Sequence, residues 1–133
     1  ITGEHAYPAD IEGVARAFGI TDIHKVNPMD LKATHEALKA ALDFKGPSLV
    51  ITRWPCVLKR RTPEDAAEFS IDRTPYAVDH GACIGCRSCM HLGCPALSFD
   101  SEAKKANIDP TACAGCGVCS QVCPKRAIGK VGA

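Results

Sequence analysis

The chain has 133 residues, 46% hydrophobic and 23% charged, with a formal net charge of +1. That suits one globular domain or two small ones and excludes a disordered or collagen-like chain. Near-neutral charge and 5% aromatic content argue against nucleic-acid binding and base-stacking platforms, and no apolar run approaches the roughly 18 residues of a membrane helix.

The chain opens on Ile1 with no targeting segment in view and reads as part of something longer. Residues 1–55 contain no cysteine. Asp10 is placed to cap a helix whose apolar positions are Ile11, Val14, Ala15 and Phe18, stopped by Gly19. A strand is expected at 22–26, broken by Asn27-Pro28. Asp30 then caps a second helix with the stripe Leu31, Thr34, Leu38, Ala41 and Leu42, ending near Gly46. Ser48-Leu49-Val50-Ile51-Thr52 reads as a strand covered on both faces. The order α-β-α-β implies a parallel sheet. Two strands and two helices bury too little surface alone, so this is the trailing α/β piece of a larger parallel-sheet domain.

Residues 56–75 read as a linker with one short helix. Lys59-Arg60-Arg61 is a solvated charge run. Thr62 caps, Pro63 takes the first helical position, and Glu64-Asp65 suit the positive end of the dipole. The helix covers 63–69, and Arg73-Thr74-Pro75 ends the linker.

From Tyr76 the chain repeats itself. Val78-Asp79, Ala82-Cys83, Gly85-Cys86 and Cys89 recur thirty residues on as Ile108-Asp109, Ala112-Cys113, Gly115-Cys116 and Cys119. Cys94-Pro95 recurs as Cys123-Pro124 at an offset of 29, so the first copy carries one extra residue. Half-units this small imply two pseudo-symmetric halves folded around shared contents.

Eight of the nine cysteines fall within residues 83–123, as Cys83-x2-Cys86-x2-Cys89-x4-Cys94-Pro and Cys113-x2-Cys116-x2-Cys119-x3-Cys123-Pro. Three chemistries compete for them. Disulfides need matched pairs, which three evenly spaced cysteines on one tight loop provide poorly. Structural zinc takes two C-x2-C hooks from separate loops and leaves the third cysteine and the Cys-Pro unused. An iron–sulfur cubane wants three thiolates from one wrapping loop and a fourth from afar, and this spacing fits best with two [4Fe–4S] clusters. Gly85, Gly115 and Gly117 allow unusual loop conformations, and Pro95 and Pro124 turn the chain out of the site. Ala82, Ile84, Ala112, Ala114, Val118, Val122, Ala127 and Ile128 are expected to keep water from the clusters.

On these motifs residues 76–130 resemble a bacterial-type two-cluster ferredoxin domain, a pseudo-symmetric (βαβ)2 unit, making the whole chain α+β. The resemblance implies crossed ligation: Cys83, Cys86, Cys89 and Cys123 on one cluster, Cys94, Cys113, Cys116 and Cys119 on the other. The x4 spacing departs from the usual pattern around His91–Gly93. The first half, with 10–19, Val26-Asn-Pro-Met-Asp-Leu31, Gly46-Pro-Ser-Leu-Val-Ile51 and Arg53-Trp-Pro-Cys-Val-Leu58, resembles the end of a thiamine-diphosphate-binding domain. Its match is the alpha subunit of indolepyruvate ferredoxin oxidoreductases, whose C-terminal ferredoxin domain tends to share the x4 gap; Trp54 stands where that family often has a basic residue. The resemblance implies oxidative decarboxylation of an aryl 2-oxoacid with coenzyme A in the cytoplasm, with an external ferredoxin as acceptor and a smaller beta subunit as partner. Thiamine diphosphate and magnesium are implied for the full-length subunit, but no Gly-Asp-Gly…Asn motif is present to hold them, and no catalytic residue is assigned. A non-catalytic ferredoxin-type carrier, or a module of another redox complex, is the alternative.

The remaining candidates have plain readings. Cys56 is an inert, half-buried thiol. His5, His24, His35, His80 and His91 are surface residues, His91 alone lying between cluster ligands. Lys125-Arg126 is a solvated pair or part of a docking patch. Two oxidised clusters with their thiolates carry about −2 each, which turns the loaded chain acidic, while Lys104, Lys105, Lys125, Arg126 and Lys130 leave a local basic landing surface.

Overall fold

The computed structural model describes residues 9–56, 62–69 and 73–132; His5 and the Lys59-Arg60-Arg61 run lie outside them. The chain divides after Arg53 into two compact units.

In the first unit α1 (Ile11–Ala17), β1 (Asp22–Val26), α2 (Leu31–Asp43) and β2 (Ser48–Thr52) follow in the order read from the sequence. Asp10 and Asp30 are the N-caps: their carboxylates accept from Gly13 N at 2.8 Å and Ala33 N at 3.0 Å, each satisfying one orphan amide of its first turn. β1 and β2 pair in parallel, from Asp22 opposite Ser48 to Val26 opposite Thr52, and α2 makes the connection between them. Lys25 Nζ and Glu12 Oε1, 2.6 Å apart, tie β1 to α1. The second helix stops at Asp43, before the expected Gly46, because Phe44 turns to extended backbone (ψ 134°). The apolar stripes form as expected, but of their residues only Ala15 is buried; Ala37, the other buried helix residue, lies off the α2 stripe, whose own Ala41 is half-buried. Ala15 and Ala37 are covered, while Phe18 is 82% and Leu42 85% exposed. Two strands make a sheet too narrow to cover two helical faces.

In the second unit α3 (Pro63–Phe69) is capped reciprocally by Thr62 and Asp65, Oγ1 accepting from Asp65 N at 3.3 Å and Oδ2 from Thr62 N at 3.1 Å. Trp54 meets Phe69 edge to face, with ring centroids 5.7 Å apart. There follow β3 (Tyr76–Val78), a 3₁₀ helix (Ser88–Leu92), β4 (Leu97–Asp100), β5 (Lys105–Ile108), α4 (Val118–Val122) and β6 (Ile128–Lys130). β3 pairs antiparallel with β6, Tyr76 opposite Lys130. β4 and β5 form a hairpin with Leu97 opposite Ile108, its turn fixed by Asp100 Oδ1 accepting from Glu102 N and Ala103 N, both at 2.9 Å.

The two halves of the repeat exchange contacts. Asp79 N donates to Ala127 O at 2.7 Å, and its equivalent Asp109 N donates to Ala96 O at 2.9 Å. Each aspartate thus reaches an alanine just beyond the other half's Cys-Pro pair, Ala96 directly after Pro95 and Ala127 three residues after Pro124. The interior they enclose is small: Cys89, Leu97, Ala106, Cys119 and Ile128 form its buried nucleus. Among the described residues no large side chain is fully buried. Two of these five core residues are thiols, so the packing that orders this unit is inseparable from its cysteines.

Candidate metal centre

Residues 83–87 and 113–117 form matching loops ahead of the 3₁₀ helix and α4. Gly85 and Gly115 are left-handed, with φ of 70° and 69°, and so are the equivalent residues Arg87 and Gly117, at 61° and 73°. The loops therefore repeat in backbone conformation as well as in sequence. The glycines are needed: a Cβ on Gly115 would stand 2.9 Å from the carbonyl carbon of Arg73, and one on Gly117 2.7 Å from the Tyr76 hydroxyl oxygen. Arg87 holds the same conformation with a side chain, its guanidinium lying 4.1 Å over the ring of Phe99.

The segment after the third cysteine differs between halves, as the x4 and x3 spacings require. In the first half Ser88–Leu92 is a 3₁₀ helix closed by Gly93 in a left-handed conformation (φ 61°); in the second Val118–Val122 is α-helical and leads directly to Cys123. The longer rise per residue of a 3₁₀ helix carries the first half's chain further before its Cys-Pro.

Cys83, Cys86, Cys89 and Cys123 line one cavity, open in part to solvent, with Ala106, Ala127 and Ile128 in its wall. Cys123, from the end of the second half, thus meets the three cysteines of the first loop. Cys89 is buried, Cys83 and Cys123 half-buried, and Cys86 exposed. Burial raises the Cys89 thiol above its ordinary pKa, with neighbouring Cys123, Cys86 and Cys83 adding to the rise. Cys86 moves the other way, held low by the side chain and then the amide of Ser88, whose Oγ is 3.4 Å from its sulfur.

In the second loop burial pushes the Cys119 thiol up to about 11, helped by Cys116 and Cys113. Cys94 is half-buried and packs on the core cluster that includes Cys119. Backbone amides point at two sulfurs: Tyr76 N donates to Cys113 Sγ at 3.5 Å and Ala127 N to Cys123 Sγ at 3.3 Å. All nine cysteines are free thiols. Among the described residues no three His, Cys, Asp or Glu side chains converge as ligands of a single ion would. A cubane asks for a different geometry, each thiolate taking a separate iron around a cage. Thiols around a cavity, small residues in its wall and amides turned to sulfur fit such a group.

Several side chains differ from their expected places. Cys56 is exposed rather than half-buried. His24 is only partly exposed: it sits half-buried on β1, with Nε2 3.1 Å from Asp22 Oδ2, and Ser48 also donates to that carboxylate. His35, His80 and His91 are exposed, and His80 Nε2 meets Asn107 Oδ1 at 2.8 Å. Ile84, expected to exclude water, is 60% exposed. Lys125 and Arg126 are exposed as well. The Arg87–Phe99 contact has no signature in the sequence, nor has the bond from Lys105 Nζ to Cys83 O; both depend on the β4–β5 hairpin folding back over the first loop.

Residues 76–126 match the 4Fe-4S dicluster domain family. The chain is similar to indolepyruvate oxidoreductase subunit IorA of Pyrococcus horikoshii, 43% identical over 124 residues, and of Methanothermobacter thermautotrophicus, 36% identical over 127. These alignments take in 91% and 95% of this chain but 18% and 19% of the relatives, so the chain spans less than a fifth of their length. A narrower similarity, 40% over 52 residues, covers 39% of the chain and 19% of a protein of the ion-translocating oxidoreductase complex of Methanosarcina acetivorans. No solved structure matches the chain. The chain fits a C-terminal fragment of an IorA subunit, and its residues 76–126 belong to the 4Fe-4S dicluster family.

Proposed function

We propose that this chain is the electron-transfer tail of an indolepyruvate-type 2-oxoacid:ferredoxin oxidoreductase. It would hold two [4Fe–4S] clusters, one on Cys83, Cys86, Cys89 and Cys123 and the other on Cys94, Cys113, Cys116 and Cys119. The observation that carries this reading is the meeting of Cys123 with Cys83, Cys86 and Cys89 around one cavity, which is what crossed ligation asks of the first set. The matching loop conformations and the exchanged aspartate contacts support the pseudo-symmetric arrangement in which Cys94 completes the second set.

When bound, such a cluster supplies a one-electron couple. The residues of the chain fix three thiols per loop, exclude water with Ala106, Ala127 and Ile128, and aim backbone amides at sulfur. The oxidative decarboxylation of an aryl 2-oxoacid with coenzyme A, using thiamine diphosphate and magnesium, belongs to parts of the enzyme outside these 133 residues. An external ferredoxin would take the electrons, a smaller beta subunit would complete the enzyme, and the setting would be the cytoplasm. Among the described residues no helix is long and apolar enough to cross a membrane. The unit spanning 9–53 would be the trailing edge of the thiamine-binding domain, and its exposed helical faces support that reading.

The second reading, a dicluster module of another redox complex, is favoured by the similarity of 52 residues of the chain to a component of an ion-translocating oxidoreductase. Anaerobic reconstitution tests both. About eight iron and eight inorganic sulfide per chain are expected, with Cys94→Ser perturbing the same paramagnetic centre as Cys113→Ser, and Cys123→Ser the same centre as Cys83→Ser. Tightly held zinc in place of iron would overturn the cluster reading; a Cys94→Ser spectrum matching Cys83→Ser would overturn crossed ligation.

A further inference from the structure

We propose that the face around residues 84–87 and 125–126 is a docking surface for an acidic one-electron carrier protein, so that the cluster set of Cys83, Cys86, Cys89 and Cys123 is where electrons leave. The inference rests on the dicluster reading above and adds to it a direction and a place.

The two loops are alike in sequence and backbone but not in exposure. Ile84 and Cys86 are exposed where their equivalents Ala114 and Cys116 are half-buried, and Arg87 is exposed where Gly117 is buried. The second loop is covered by the Arg73 backbone against Gly115 and the Tyr76 hydroxyl against Gly117. The first loop leaves a sulfur-lined cavity open at its rim. Electron transfer between proteins falls steeply with distance, which favours the set nearer the surface as the contact point.

The rim is also cationic. Arg87 and Lys125 line the cavity, Arg126 follows Lys125 in the chain, and Lys104 lies against Gly85, its carbonyl oxygen inside the space a Cβ there would need. Arg87, Lys104 and Arg126 are the three non-glycine residues with positive φ among the described residues. Each accepts a left-handed conformation that disfavours a side-chain-bearing residue, and all three are long cations at this one face. Among the described residues none of Lys104, Lys125 and Arg126 forms an ion pair. Asp79, Asp100 and Asp109 are committed instead to turn amides of their own segments. An apolar Ile84 beside uncommitted cations suits an acidic partner: charge steers the encounter and the apolar contact seats it. A carrier seated there would leave reduced by one electron, the donor cluster oxidised by one, with no bond or proton changing hands.

The test uses an oxidised, acidic bacterial-type ferredoxin as probe, its affinity for the iron-loaded chain measured by calorimetry across ionic strength, with carbodiimide cross-linking to locate the contact. The Lys104→Glu/Lys125→Glu double variant should bind about tenfold more weakly at low salt and lose most of its salt dependence. Lys39→Glu on α2 should leave binding unchanged, and wild-type cross-links should fall on Lys104 or Lys125. If Lys125→Glu loses iron, Lys104→Glu with Arg126→Gln carries the same expectation. An iron-replete double variant with wild-type affinity and salt dependence, no measurable wild-type binding, or cross-links confined to the first unit would overturn the docking surface alone. A wild-type chain that takes up no iron would overturn the cluster reading beneath it.

Discussion

Replacing Gly115 by alanine separates two costs that the structure assigns to one position. The first is conformational. At φ 69° an alanine is strained by about 1–2 kcal/mol. The second is steric. The new Cβ would lie 2.9 Å from the carbonyl carbon of Arg73, 3.0 Å from its Cα and 3.1 Å from its oxygen. All three are backbone atoms with no rotamer to escape into, so the loop or the 73–76 segment must move, at about 1–3 kcal/mol by analogy with overpacked cores. Gly93→Ala is the control: its φ is 61° with nothing within 4 Å of the added atom, so it carries the first cost without the second. Gly115→Ala should therefore destabilise the iron-loaded protein by about 1–3 kcal/mol more than Gly93→Ala. The assay is anaerobic denaturant unfolding followed by visible absorbance and circular dichroism, with the rate of iron loss to a chelator as a kinetic check. Equal losses in the two variants would mean that the Arg73 contact does not constrain the second loop.

Two more expectations follow from the thiol-rich core. Chelating iron anaerobically should abolish amide-exchange protection across 76–130, where Cys89 and Cys119 are core residues, and spare the β1–β2 pair; protection retained in the second unit would refute it. Iron uptake by the metal-free chain should strengthen as pH rises from about 6 to about 9 and release protons. Burial holds Cys89 above the ordinary 9.0 and Cys119 at about 11, so both enter as neutral thiols that must ionise to ligate. Uptake independent of pH, with no proton release, would contradict this.

What the sequence disclosed and what it hid divide along a physical line. Asp10, Asp30 and Thr62 announced their caps because a cap is a local bond between residues three apart; the 48–52 strand announced itself by an apolar run after Pro47, and the 22–26 strand by the Asn27-Pro28 break that ends it. The repeat was equally plain, since matched cysteines, glycines and prolines at one offset leave little else to read. Exposure was not legible. Phe18 and Leu42 form the expected stripes yet face outward, Ile84 sits among ligands yet stands 60% clear, and Cys56 follows a strand yet is uncovered. Each depends on what packs over the element, a fact absent from the element itself. The left-handed Arg87, Lys104 and Arg126 escaped for a related reason: propensity assigns such angles to glycine, and tertiary contacts such as the Arg87–Phe99 stack override it.

The duplication itself constrains how such a domain loads. With Cys123 among the first loop's thiols, and Cys94 completing the second set as proposed, neither half alone contains a full ligand set. The first loop lacks its fourth thiolate until α4 has formed and turned the chain at Pro124; the second lacks its own until the 3₁₀ helix and Gly93 have done the same. The exchanged bonds from Asp79 to Ala127 and from Asp109 to Ala96 bring those ends into place, so they act on ligation as well as on folding. Assembly is then cooperative by topology: completing either set requires both halves to be in register, and that register is the one the other set needs. A free-standing half would gain a three-thiolate loop and nothing to close it. On this argument the extra residue before Cys94 is tolerated because the 3₁₀ helix and left-handed Gly93 absorb it within the first half, leaving the closure of both sets unchanged.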